Sequence, residues 1–181
     1  MKKLFLITGK AKHGKDSVAG ILKDKLESHG ERVLILHFAD YLKFICKEYF
    51  GWDGQKDDKG RTLLQLIGTD KVRSKDPNFW VNIICDLISV LKDDFDYFIV
   101  SDCRFPGELS VPKEYGFDTI SVRVTRYEDN VLFDNGLTFA QKIHSSECSL
   151  DTHSFDYELQ NDGNLHWLQY RVDDFIEYFN L

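Results

Sequence analysis

Two hydrophobic periods share this chain, and the switch between them marks its elements. Leu4-Phe5-Leu6-Ile7 and Arg32-Val33-Leu34-Ile35-Leu36-His37 are short, nearly unbroken apolar runs, the pattern of strands covered on both faces of a parallel sheet. Between them Val18, Ile21, Leu22 and Leu26 recur at helical spacing from about Lys15, and the pattern fades at Ser28-His29-Gly30, where glycine suits a helix end. Strand, helix and strand make a βαβ unit. A second helix carries Leu42, Ile45 and Tyr49 and stops near Gly51, and the stretch from Gly51 to Gly60 reads as a polar surface loop. The spacing predicts two further helices, one around Arg61 to Lys71 and one from about Pro77 to Lys92 with Asp76 as its N-cap.

Asp96 to Asp102 is the next strand, and Phe117 to Thr125 alternates around Ile120, Val122 and Val124 as a fourth. From about Arg126 to Leu150 the chain is polar and irregular and reads as a flap. Tyr157-Glu158-Leu159 is a weak last strand. After Asn161-Asp162-Gly163 a closing helix carries Leu165, Leu168, Val172, Phe175, Ile176 and Phe179 as one apolar stripe, which is core packing.

The first strand runs into Gly9-Lys10-Ala11-Lys12-His13-Gly14-Lys15-Asp16-Ser17. Two glycines let the backbone curl with its N–H groups inward, the helix N-terminus adds partial positive charge, and Lys15 adds a full one. Such a loop cradles a polyphosphate. It departs from the common G-x-x-x-x-G-K-[ST] form because Asp16 follows the lysine and the hydroxyl comes one residue later, at Ser17. A carboxylate can also bind Mg²⁺, so Asp16 and Ser17 are the candidate metal residues. His13 is expected to contribute its backbone. Two acidic residues, Asp40 in Phe38-Ala39-Asp40 and Asp102, fall at carboxyl ends of strands, where ligands lie in open α/β sheets.

Composition narrows the setting. With 181 residues and 43% hydrophobic content the chain can bury one core, with room for a small lid. A net charge of −7 argues against general nucleic-acid binding, so basic residues matter locally. Cys46, Cys85, Cys103 and Cys148 are widely spaced without a C-x-x-C pair and read as reduced thiols. The apolar run after Met1-Lys2-Lys3 is too short for a signal peptide, and no membrane-length segment follows. The expectation is a cytoplasmic protein with neither nucleic acid nor membrane as partner.

Several stretches together resemble the deoxynucleoside monophosphate kinases of phages and bacteria. They are Gly14-Lys15-Asp16, Phe38-Ala39-Asp40 with Leu42-Lys43, Arg61-Thr62-Leu63-Leu64-Gln65, Gly68-Thr69 with Val72-Arg73, and Trp80-Val81. Asp102-Cys103-Arg104-Phe105-Pro106 with Glu108, His144-Ser145-Ser146-Glu147 and Asn161-Asp162-Gly163-Asn164-Leu165 complete the likeness, which spans nearly the whole chain.

The resemblance implies a P-loop three-layer α/β/α sandwich over residues 1–181, with a five-stranded parallel sheet in the order 2-3-1-4-5. It also implies an acceptor-binding helical region at about 39–95 and a lid at about 126–150. ATP and Mg²⁺ are the implied cofactors, with a nucleoside monophosphate as substrate and a homodimer left open. Gly9 to Ser17 would hold ATP, and Asn161 and Gly163 would border its adenine. Arg61 and Arg73 would grip the acceptor's phosphate, since a guanidinium pairs two oxygens at once. Asp40, Lys43 and Gln65 would contact the acceptor, and Trp80 would stack on its base or pack. Asp102 and Arg104 would sit between the substrates, Arg126 would arrive from the lid on closure, and Glu147 would contact acceptor or lid arginine. Val111-Pro112 departs from the pattern and predicts a short or kinked helix after Arg104. Rival readings are a phosphomevalonate or dephospho-coenzyme A kinase, or an ATP-binding switch without transfer.

Overall fold

A computed structural model describes residues 3–181. Five parallel strands, β1 (Lys3–Thr8), β2 (Val33–Leu36), β3 (Tyr97–Cys103), β4 (Asp118–Glu128) and β6 (Tyr157–Asn161), lie in the order β2-β3-β1-β4-β6. Counting only these parallel strands, this is the 2-3-1-4-5 order that the resemblance implies. The sixth, β5 (Val131–Leu132), is a two-residue hairpin partner to the far end of β4.

Period-two alternation splits each central strand between two cores. Leu4, Leu6, Phe98 and Val100 pack with α2 (Asp40–Phe50), α4 (Phe79–Leu91) and α5 (Pro106–Glu114). Phe5, Ile7, Ile99, Val124 and Leu159 pack with α1 (Lys15–Ser28) and α8 (Leu165–Phe179). Helices on both faces explain why the central strands read as continuous apolar runs. On β4 Ile120, Val122 and Val124 enter one core, while Ser121 and Arg123 face polar segments: Ser121 is bonded to Asp156, and Arg123 donates to the Leu150 carbonyl. Hence its visible alternation. Within α8, Leu165 is exposed and stands outside the stripe assigned to it.

Local chemistry moves three boundaries. The Gly51–Gly60 stretch is more than a surface loop, because Trp52 is buried with its indole N–H on the Gln55 carbonyl, and Asp57 caps α3 (Asp58–Gln65) by accepting the Gly60 N–H at 2.7 Å. The helix predicted to run through Lys71 continues instead as a π-wound segment, Leu66–Arg73, in which Gly68 lies so close to Leu42 that a Cβ would stand 2.5 Å from Leu42 Cδ2. Asp76 forms a turn onto the Asn78 N–H, so α4 starts at Phe79 rather than Pro77. Pro112 sits inside α5, which ends two residues later, so that helix is short as expected. The flap contains α6 (Phe139–Ile143) and α7 (Ser145–Cys148). All four cysteines are free, and burial pushes the Cys85 thiol up to about 12. Among the described residues, no helix is long and apolar enough to cross a membrane.

Candidate active site

β1 ends in a loop whose curl depends on positive φ at Gly9 (147°), Lys12 (63°) and Gly14 (95°). Side chains would obstruct it: a Cβ on Gly9 would lie 2.3 Å from the Val124 carbonyl oxygen, and one on Gly14 would lie 2.6 Å from Asn161 Nδ2. Lys15 is 8% exposed, and its ammonium donates to the Gly9 and Lys10 carbonyls at 2.8 and 2.9 Å. Burial, reinforced by Arg104, pulls it from its usual 10.5 down to about 7, against the opposing carboxylates of Glu147, Asp16 and Asp102. The Ala11 N–H already donates to Glu147 Oε2 at 3.4 Å, so a carboxylate rests on a loop amide.

The loop forms one end of a cavity of about 450 Å³. Its walls include Lys12, Lys15 and Asp16 from the loop, Lys43 from α2, Arg61 and Gln65 from α3, and Arg73 from the π-wound segment. Asp102, Arg104 and Phe105 come from the end of β3, and Leu137, Gln141 and Glu147 come from the flap. Asp102 holds the β2–α2 turn, accepting the Phe38 and Ala39 N–H groups at 2.8 and 3.0 Å. The Arg104 guanidinium is held by the Glu147 carboxylate and the Ser146 carbonyl. Arg73 pairs with Glu108 and lies 4.1 Å over the Phe105 ring. Gln141 caps α6 and reaches Asp58 at 3.3 Å, joining flap to α3 across the cavity.

A family model for deoxynucleotide monophosphate kinase matches residues 38–172, about three quarters of the chain. The chain belongs to that family. A deoxynucleotide monophosphate kinase of Escherichia phage RB69 is 27% identical over 118 residues, 64% of this chain and 44% of that one, so the chain spans under half of the phage relative's length. A phosphomevalonate kinase of Drosophila melanogaster is 28% identical over 178 residues, covering 91% of each chain. The fold matches APS kinase of Mycobacterium tuberculosis, solved with AMPPNP and APS, at a TM-score of 0.55 and 15% identity over 97% of this chain and 98% of that one. Fold and family together make the chain a P-loop kinase, a nucleotide-binding phosphotransferase.

Not every residue expected at the site lines the cavity. Asp40 stands outside its lining, bonded to Lys43 at 2.8 Å and His37 at 3.1 Å, so it supports two lining residues instead. Trp80 borders the cavity but is 2% exposed, and its indole N–H is taken by the Gly68 carbonyl; it packs as a floor and has no open face for stacking. Ser17 is exposed and outside the lining, whereas Asp16 lines it with Oδ1 held by the Ser101 hydroxyl at 2.7 Å.

Arg126 is also outside the lining. β4 extends past the sheet into its hairpin with β5 and carries the residue to the flank of the loop, where Phe133 lies beneath it at 4.2 Å and Glu128 pairs with it. The arginine that meets the flap inside the cavity is Arg104. Asn161, in register with Arg126 on β6, donates to the His13 carbonyl at 3.1 Å, and Gly163 packs beneath Trp167.

His13 contributes more than its backbone. Its ring is 2% exposed, Nδ1 accepts the Arg126 N–H at 3.2 Å, and Nε2 is buried without a partner among the described residues. Burial, with Lys15 and Lys10, keeps the imidazole below its usual range, consistent with an unprotonated Nδ1. The sequence assigns no role to Gln141 or Phe105, because their roles depend on contacts to Asp58 and Arg73 that are remote along the chain.

Proposed function

We propose that the chain transfers the γ-phosphoryl group of ATP to a deoxynucleoside 5′-monophosphate, giving the diphosphate. The observation that carries this reading is one cavity lined at once by the phosphate loop with Lys15 and by three guanidinium groups, Arg61, Arg73 and Arg104. An acceptor phosphate seated on Arg61 and Arg73 faces the loop across Asp102 and Arg104. One of its oxygens then bonds to the γ-phosphorus as the bond from that phosphorus to the β–γ bridging oxygen breaks, leaving ADP. The attacking phosphate oxygen carries no proton at neutral pH, so no general base is required, and alignment with charge neutralisation is the protein's task. Both Asp102 oxygens are committed to backbone amides, which suits a scaffold.

Lys15 and the loop amides hold the ATP phosphates in this reading, while Arg126 and Asn161 flank the adenine side. The helical region 39–95 seats the acceptor, with Gln65 and Lys43 beside its nucleoside. The flap at 126–150 acts as the lid, with Gln141 and Glu147 closing over the phosphates to exclude water.

The site also fits Mg²⁺. The Asp16 side chain is 80% exposed at the cavity, with one oxygen fixed by Ser101 and the other without a partner among the described residues. In this reading Asp16 would hold the ion together with phosphates and water. When bound, Mg²⁺ supplies charge neutralisation at the transferred group.

One observation favours a second acceptor. The Drosophila phosphomevalonate kinase aligns over almost the whole chain, and Lys43 and Lys56 add cations to the cavity that could meet a carboxylate. A thermal-shift screen with AMPPNP and Mg²⁺ separates the two readings. A deoxynucleoside monophosphate should raise Tm beyond AMPPNP alone. A rise with phosphomevalonate and none with any deoxynucleotide would overturn the nucleotide reading.

Two further outcomes are expected. Arg73→Ala should raise the acceptor's KM or lower kcat by about tenfold or more, with ATP binding little changed; an unchanged acceptor response in steady-state kinetics removes Arg73 from the site. ATP phosphates beside Lys15 should restore the charge that burial suppresses. Because its free-protein pKa is about 7 and binding raises it, ATP binding above pH 7 should take up as much as about one proton, and affinity should fall as pH rises. Calorimetry at pH 8 in buffers of different ionisation enthalpy measures this uptake, and identical heats in all buffers would contradict it.

A further inference from the structure

We infer that Glu108 is a positioning residue for phosphoryl transfer: its buried carboxylate sets the Arg73 guanidinium and the Arg104 main chain in the wall of the acceptor cavity. The inference rests on the reading that Arg73 grips the acceptor's phosphate. Glu108 is 1% exposed, and both its oxygens are committed. Oε1 receives the Arg73 guanidinium, while Oε2 accepts the Arg104 and Phe105 N–H groups at 2.5 and 3.0 Å. One carboxylate thereby joins the π-wound segment of the acceptor region to the turn between β3 and α5.

Capping α5 does not by itself explain a buried charge. The two amides need only an oxygen, which a neutral side chain provides, whereas a buried carboxylate is costly unless a cation meets it. Arg73 is that cation. Its other contacts are the Phe105 ring from the same turn and, four residues along its own segment, the Pro77 carbonyl at 3.2 Å, so the guanidinium is fixed in one place with its charge largely balanced. Balance matters here because Lys15, Arg61 and Arg104 line the same cavity. An unneutralised Arg73 would be repelled from them before any phosphate arrived. Held by Glu108, it is preorganised and loses little freedom on binding.

Glu108→Gln keeps an oxygen for the amides and removes the charge. With ATP and acceptor varied independently, it should raise the acceptor's KM about tenfold, leave the KM for ATP within about twofold, and add little to the defect of Arg73→Ala. Glu108→Asp, which restores the charge, should recover most of the loss. If the Gln variant does not fold, the Asp variant carries the test: its shortened carboxylate should raise acceptor KM about threefold and spare ATP. A lowered Tm with wild-type acceptor KM would make Glu108 a cap only and overturn the inference, as would equal losses for both substrates. Arg73→Ala distinguishes the two levels of failure. If it too leaves both the acceptor KM and kcat unchanged, the acceptor reading fails and the inference falls with it. If it raises that KM while Glu108→Gln does not, only the role of Glu108 is lost.

Discussion

Lys15→Ala is expected to lower kcat by about 10²–10³-fold while leaving the circular dichroism spectrum nearly unchanged. The ammonium is the buried cation of the loop, held on the Gly9 and Lys10 carbonyls within the curl to which we assign the ATP phosphates. Its burial, which brings the pKa to about 7, is a load on the free protein. Removing it should therefore leave Tm undiminished. The sign follows from proton linkage: the unfolded chain binds the Lys15 proton up to about 10.5 and the folded chain only to about 7, so this group disfavours folding most at low pH. Turnover lowered about 10²–10³-fold with Tm undiminished is the expected pair of results. A Lys15→Ala variant with near wild-type turnover would contradict the mechanism.

Gly9→Ala is expected to have the largest effect on stability. The added Cβ would lie 2.3 Å from the Val124 carbonyl oxygen, an atom of the sheet backbone, and the residue would have to hold φ at 147°. Backbone strain and overlap together should cost about 3 kcal/mol or more, lowering Tm by roughly 6–12 °C for a chain of this size. Gly20, whose added Cβ meets nothing within 4 Å, is the control: Gly20→Ala in the middle of α1 should be neutral or stabilising. Thermal melts of both variants check this directly, and equal melting temperatures would show that the loop tolerates a side chain there.

These two residues also show what the sequence made legible. Gly9, Gly14 and Lys15 are local features between a strand and a helix, so their spacing makes the glycine-bounded curl legible without help from the rest of the chain. The strand order was accessible through resemblance, because hydrophobic period gives strands but not neighbours. What eluded the sequence was nonlocal. The resemblance puts Arg126 in the lid, whereas the run of β4 into its hairpin and the Phe133 ring place it at the flank of the loop. In the sequence Trp80 reads as either platform or core, and its indole N–H on the Gly68 carbonyl, 12 residues away, makes it core. The π-winding of Leu66–Arg73 has no periodic signature distinct from a helix, yet it carries Gly68 and Arg73 into the cavity wall.

The central claim is that the loop and the cavity arginines present two anions to each other for transfer. ADP release, followed in a coupled assay with ATP, Mg²⁺ and, in separate reactions, dTMP, dGMP, dCMP, phosphomevalonate or dephospho-coenzyme A, measures it most directly. The account predicts ADP release that depends on acceptor, is greatest with a deoxynucleoside monophosphate, and is lost in Lys15→Ala. ATP binding with no ADP release above background for any of the five acceptors would contradict it.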